Sequence, residues 1–126
     1  MDVMTILRED YAKFPIDQSY QIYDRDVYFQ DPLSKFRGLD RYKKTIAFIQ
    51  TWFKDPHLEL YEINQLERLI TTRWSLSWNT PLPWYPRIEI TGTSEMILND
   101  RDLIISHIDY WDCAPLDVLK QHFIKT

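Results

Sequence analysis

Glycine is nearly missing from this chain: Gly38 and Gly92 are its only two. Loops that cradle phosphate need several close backbone approaches, so a glycine-rich nucleotide loop is excluded. There is a single cysteine, Cys113, so no disulfide can close within the chain, and a reducing, cytoplasmic setting is expected. No apolar run approaches the roughly 20 residues of a membrane-spanning helix. The start, Met1-Asp2-Val3-Met4, lacks the basic residues and apolar run of a signal peptide. No membrane partner is therefore expected. Basic charge is scarce as well. The net charge is −4, without the footprint that phosphate backbones demand, so nucleic acid is not an expected partner. The densest basic stretch, Arg37 to Lys44, reads as the solvated face of a helix. His57, His107 and His122 fall on different elements, which argues against a metal site, and no cofactor is expected.

Aromatic residues are abundant. They make up 15% of the chain, with five Trp and eight Tyr. An apolar fraction of 44% and a charged fraction of 27% over 126 residues fit one globular domain, residues 1–126, with one core. No linker, repeat or low-complexity tract divides it.

Helical spacing predicts a first helix over Val3 to Lys13, with Val3, Leu7, Tyr11 and Phe14 near one face. A short second helix is expected from Asp17, carrying Tyr20, Ile22 and Tyr23. Val27 to Gln30 and Lys35 to Arg37 read as short strands. A third helix is capped by Asp40, with Tyr42, Ile46, Ile49 and Phe53 on its inner stripe, Trp52 widening that stripe, and Asp55-Pro56 closing it. Leu58, Leu60 and Ile63 begin a long strand. From Leu69 to Trp78 the alternation is clean. Ile70, Thr72, Trp74, Leu76 and Trp78 share one face, and Thr71, Arg73, Ser75 and Ser77 the other. A proline-rich turn, Pro81 to Pro86, puts Trp84-Tyr85 at its tip, as a stiff connection or a partner site. Arg87 to Leu98 returns, with a bulge or bend expected at Gly92. Leu103 to Trp111 is the last strand. A helix over Pro115 to Ile124 closes the chain, with Leu116, Leu119 and Phe123 inward. This order gives an α+β architecture, helices on one side of a bent, mainly antiparallel sheet, with a hollow between them.

The order is similar to the nuclear transport factor 2-like superfamily, which includes ketosteroid isomerases and polyketide cyclases of the SnoaL type. Tyr23 to Pro32 resembles its first strand, closing on Asp31-Pro32. Phe36-Arg37-Gly38 before a helix fits too. Ile104 to Asp112 resembles the His-x-Asp-x-x-Asp ending of the cyclase-like branch. Phe14 to Tyr20, Asp31-Pro32-Leu33, Thr72-Arg73-Trp74, Pro81 to Trp84 and His107 to Trp111 further resemble an uncharacterised domain family of photosynthetic organisms within that superfamily. The resemblance implies a cone-shaped, cystatin-like fold: three N-terminal helices on a strongly bent sheet, and a short C-terminal helix.

The isomerase branch implies Asp31 as a base, since a carboxylate in an apolar pocket is costly to ionise. Alternatively Asp31 ends the strand and caps a turn. The same branch implies Tyr11 as a donor to a developing oxyanion, but the position of its partner acid falls near Ser94, which cannot donate as a protonated carboxyl. His107 and Asp109, two residues apart, point to one face of the last strand, as an acid/base pair or as structural partners of Arg73 or tyrosines. Arg73 could clamp a substrate carboxylate, or pair with Glu89, Glu95 or Asp109. Trp74, Trp78 and Trp111, with Trp84, line a pocket or cover the outer sheet face of a homodimer.

Three functional readings follow. The first is binding of a small, largely apolar molecule in an aromatic pocket. The second is a proton-transfer enzyme of isomerase, cyclase or dehydratase type, using Asp31 or His107 with Asp109. The third is a non-catalytic module acting through the outer sheet face.

Overall fold

The computed structural model describes residues 2–123. Helix α1 spans Val3–Lys13, and Asp2 caps it by accepting from the Thr5 N–H at 2.8 Å. A single 3₁₀ turn, Tyr20–Ile22, leads into β1, Tyr23–Gln30. Next come β2, Lys35–Arg37, and helix α2, Leu39–Trp52. The second half holds β3, Lys54–Leu66; β4, Leu69–Asn79; β5, Arg87–Leu98; and β6, Ile104–Trp111. Helix α3, Pro115–Gln121, follows.

The six strands form one sheet in the order β2-β1-β6-β5-β4-β3. Only the β1–β6 pairing is parallel. The order brings the last strand beside the first, so residues far apart in sequence meet at mid-sheet. Register shifts fall between Tyr23 and Tyr28, between Leu60 and Glu62, and beside Ile105. Such bulges bend a strand and add twist, which curls this sheet around α1 and α2. Leu7 from α1 packs among Val27, Ile70, Met96 and Ile104 in the main core. A second cluster gathers Trp74, Trp78, Ile88 and Ile90 towards α3.

The expected second helix shrinks to the 3₁₀ turn. Asp17 takes a left-handed φ of 49°, which an extended N-cap excludes, and Tyr23 begins the strand instead. Asp40 lies in the first turn of α2, while Gly38, at φ 117°, holds the cap position. Trp52, expected to widen the inner stripe of α2, is exposed on its outer side with Phe48. The expected bulge at Gly92 is not there: β4 and β5 pair in unbroken register through it. Gly92 answers to crowding. A Cβ there would stand 2.4 Å from the Tyr110 carbonyl oxygen and 2.9 Å from the Trp74 ring. The missing side chain makes room for the Trp74 indole, its cross-strand partner.

Helix α3 also turns otherwise than expected. Leu116, Leu119 and Phe123 are exposed, and Val118 faces inward. Gln121 decides the rotation. Its amide accepts from the Glu89 N–H at 2.7 Å and donates to the Glu89 carbonyl at 2.9 Å, extending β5 like a short strand partner. Ile124 falls outside the described residues.

Candidate functional site

The concave face of the sheet and the two long helices enclose a cavity of about 420 Å³. Its walls are mostly apolar and aromatic. Phe53 stacks on Trp78 at 4.2 Å, and Phe29 on Tyr42 at 4.0 Å, both nearly parallel. Trp74, Trp78, Trp111 and Tyr11 all line it. Trp84 lies apart on the exposed β4–β5 hairpin.

Polar groups converge at one end. Ser94, on β5, is fully buried and faces Asp109 across the β5–β6 pairing. Its Oγ accepts from the Trp74 indole N–H at 2.8 Å and donates to Asp109 Oδ1 at 2.5 Å. His107 Nε2 stands 2.7 Å from the same oxygen. With the proton on Nε2, both neighbours donate to Oδ1 and fix the carboxylate. Oδ2 has no hydrogen-bond partner among the described residues, and the Asp109 side chain is 31% exposed. His107 Nδ1 is enclosed without a partner among the described residues, and its ring packs 5.1 Å from Phe29.

Three phenols surround this end, Tyr23 buried and Tyr11 and Tyr42 half-buried. Tyr11 Oη and Thr72 Oγ1 lie 2.9 Å apart. Tyr23 and Tyr42 have ring centroids 5.3 Å apart. Burial pushes Tyr11 and Tyr42 well above the usual tyrosine range, and the Asp109 charge adds to this in both. Burial also raises Tyr23, helped by its neighbour Tyr42. All three therefore remain O–H donors at neutral pH. Asp10, also buried on the lining, is satisfied: its carboxylate accepts from the Ser19 N–H at 3.0 Å and the Ser19 hydroxyl at 2.8 Å.

Asp31 lies on the lining, but in a different role from its neighbours. Its Oδ1 accepts from the backbone N–H groups of Leu33 and Ser34, both at 2.8 Å, closing the β1–β2 turn. It makes no hydrogen bond to Tyr11, His107 or Asp109. Arg73 is not on the lining at all. Strand alternation places it opposite Thr72 and Trp74, and there it pairs through both guanidinium arms with Asp112, its Nη1 also donating to Thr93 at 3.2 Å. The partner is none of Glu89, Glu95 or Asp109. The chain leaves β6 after Trp111, which brings Asp112 to the outer face. Asp112 holds the Arg73 pKa above its usual value, and Arg73 holds the Asp112 carboxyl below its own.

Sequence reasoning overlooked Tyr23 and Tyr42 as site residues and Ser94 as the hub. The tyrosines were visible only as inward apolar positions. Their hydroxyls were the available signal. For Ser94, it was a lone hydroxyl on the inner face of a strand, two residues past Gly92.

Residues 1–107 match the family model described as "Uncharacterized conserved protein (DUF2358)". The chain belongs to this family. The match ends at His107, so Asp109, Trp111 and α3 lie beyond it. It lends no support to the narrower expectation of a family of photosynthetic organisms. No curated protein matches the chain. Among solved structures, the DUF2358 chain is similar to an NTF2-like protein of unknown function from Burkholderia pseudomallei. The TM-score is 0.77 at 12% identity, over 96% of this chain and 97% of that one. A hypothetical protein with a ketosteroid isomerase-like fold from Catenulispora acidiphila gives 0.76 at 12% identity, over 97% and 92%. An LEH-like epoxide hydrolase from M. tuberculosis gives 0.66 at 16% identity, over 94% and 81%. At these identities the likeness shows the fold: the α+β, NTF2-like architecture of the ketosteroid isomerase-fold proteins. Among the described residues, no helix is long and apolar enough to cross a membrane.

Proposed function

We propose that this chain binds a small, largely apolar molecule inside its cavity and holds one oxygen function of that molecule at the polar end. The supporting observation is the open Oδ2 of Asp109, set near the phenols of Tyr11 and Tyr42 at the end of an aromatic cavity. A volume of about 420 Å³ suits a ligand rather than a filled core. That favours binding over a module acting only through its outer face. A carbonyl would accept from Tyr11 or Tyr42, and a hydroxyl would donate to Asp109.

A second reading is proton transfer beside a carbonyl. Asp109 Oδ2 would take the proton, with Ser94 and His107 positioning the carboxylate and a phenol donating to the developing enolate oxygen. Asp31 suits this role less well, because its Oδ1 is engaged by the turn. Among the solved relatives, the LEH-like epoxide hydrolase shows that this fold can carry catalysis in another protein.

The test is binding of the neutral fluorophore N-phenyl-1-naphthylamine to the purified chain, followed by displacement with a series of apolar ketones and alcohols. Saturable binding that Trp78→Ala weakens supports the cavity. Absence of saturable binding sinks the reading. Ketones that displace the probe are then incubated with the chain in deuterated water. Exchange of their α-protons, lost in Asp109→Asn, marks the proton-transfer reading.

A further inference from the structure

The mouth of the cavity is marked by residues that line it and yet are exposed: Gln30, Leu33, Ser34, Thr45 and Phe48. It opens between the β1–β2 turn and the middle of α2. Among the polar residues of this rim stand two large apolar side chains that water disfavours. Leu33 is 68% exposed and Phe48 57%. Trp52, one turn further along α2, is 51% exposed and has its ring 6.4 Å from that of Phe48. Arg41, Lys44, Phe48 and Trp52 recur at intervals of three and four, so they form one outward stripe.

The charge on this face opposes that of the whole chain. Between Lys35 and Lys44 there are five basic side chains and one acidic one, in a chain of net charge −4. None of the five makes a salt bridge among the described residues. Arg41 lies over the Phe36 ring at 5.3 Å, and Phe36 is part of the cavity wall.

We propose that this face docks on an anionic lipid surface and exchanges the apolar ligand with it. Phe48, Trp52 and Leu33 enter the interfacial layer, Lys35, Arg41 and Lys44 meet the headgroups, and the mouth opens towards the acyl chains. Exposed aromatics flanked by basic residues are the composition of an interfacial helix face, and long basic side chains reach headgroups while their stems lie in apolar surroundings. Lying on a bilayer needs no spanning helix, and none of the described helices is long and apolar enough to be one. The remaining, acidic surface is repelled by anionic lipid, which orients the molecule mouth-down. An acidic protein would meet the same charges. Lipid is favoured because the stripe borders a mouth that opens into an apolar cavity, which a fluid acyl phase can cover and supply. The proposal rests on the cavity binding apolar molecules.

The experiment is flotation of the full chain with phosphatidylcholine vesicles, with and without phosphatidylglycerol. The chain is expected to float only with the anionic vesicles, and less as salt rises. Lys35→Gln with Lys44→Gln should lower partitioning about 25-fold, from about fivefold per basic residue at the surface. Phe48→Ser with Trp52→Ser should remove binding at every salt concentration. All four positions are exposed, so the fold is retained. No flotation with anionic vesicles, or flotation that both variants leave unchanged, overturns the proposal. So does capture by an acidic soluble protein without capture by vesicles. Binding of N-phenyl-1-naphthylamine without vesicles separates the two failures. If the probe enters but vesicles are not bound, docking alone is wrong. If the probe does not enter, the cavity reading fails and the docking proposal with it.

Discussion

The Ser94 hydroxyl donates to Asp109 Oδ1 at 2.5 Å while accepting the Trp74 indole N–H at 2.8 Å. One small side chain thus ties an aromatic wall to the carboxylate that faces the cavity. Removing that hydroxyl in Ser94→Ala leaves a buried indole N–H without an acceptor and takes one donor from Asp109. Such a loss costs about 1–3 kcal/mol. Urea unfolding should show a drop in that range with an unchanged slope. A change below about 0.5 kcal/mol would mean that the hydroxyl is not the hub its geometry suggests.

Gly92 supports the same wall by having no side chain. In Gly92→Ala the new Cβ meets the Tyr110 carbonyl oxygen at 2.4 Å and the Trp74 ring at 2.9 Å. Backbone cannot yield cheaply, so a loss of about 3 kcal/mol is expected, with altered near-UV circular dichroism from Trp74. Gly38→Ala is the informative contrast. Nothing stands within 4 Å of its Cβ, but its φ of 117° is strained for any other residue. It should cost about 1–3 kcal/mol while leaving the tryptophan signal as it was.

Much of this wall was legible in the sequence, and the reason is period. From Ile70 to Trp78 every second residue faces inward, and β4 keeps that phase along its whole length. His107 and Asp109 share a face for the same reason. A bulge hid part of the rest. Ile104 and His107 both point inward although three residues apart, because the register shifts beside Ile105. Tyr23 was hidden otherwise: a helix was expected there, whereas in β1 it lies two alternations before Val27, on the same face. The rotation of α3 was hidden differently. Apolar spacing pointed Leu116 and Leu119 inward, and the two hydrogen bonds that the Gln121 amide exchanges with the Glu89 backbone outweighed it. Polar anchors of this kind leave no periodic trace.

The phenols at the polar end make stability fall in alkali. Tyr11, Tyr23 and Tyr42 have folded pKa values raised above their ordinary value of 10.0, with burial the largest cause. A raised pKa means that the folded state holds its proton more tightly than the unfolded chain. The contribution is therefore complete below pH 10 and is lost as pH climbs from there towards the folded values. Each phenol should cost about 1.4 kcal/mol per pH unit in that window. Thermal melting between pH 8 and 11 tests this. A melting temperature that is flat to about pH 10 and then falls is expected, and Tyr11→Phe should make the fall shallower. Equal slopes in both proteins would show that Tyr11 is not held as its burial implies.

Arg73 and Asp109 sit on opposite faces of the sheet, and their substitutions should separate accordingly. Arg73 pairs with Asp112 at the surface, where water and salt screen an ion pair and leave it little weight in stability. Arg73→Ala should therefore leave the melting temperature nearly unchanged and N-phenyl-1-naphthylamine affinity within about twofold. Asp109→Asn keeps the shape of the polar end but removes its charge. A neutral amide is cheaper to leave beside an apolar probe than a carboxylate, so affinity for the neutral fluorophore should rise. Affinity for alcohols that donate to Oδ2 should fall by about tenfold, the loss of one charge-assisted hydrogen bond. A reversed pattern, with Arg73→Ala altering binding and Asp109→Asn leaving it unchanged, would move the site from the concave face of the sheet to the outer one.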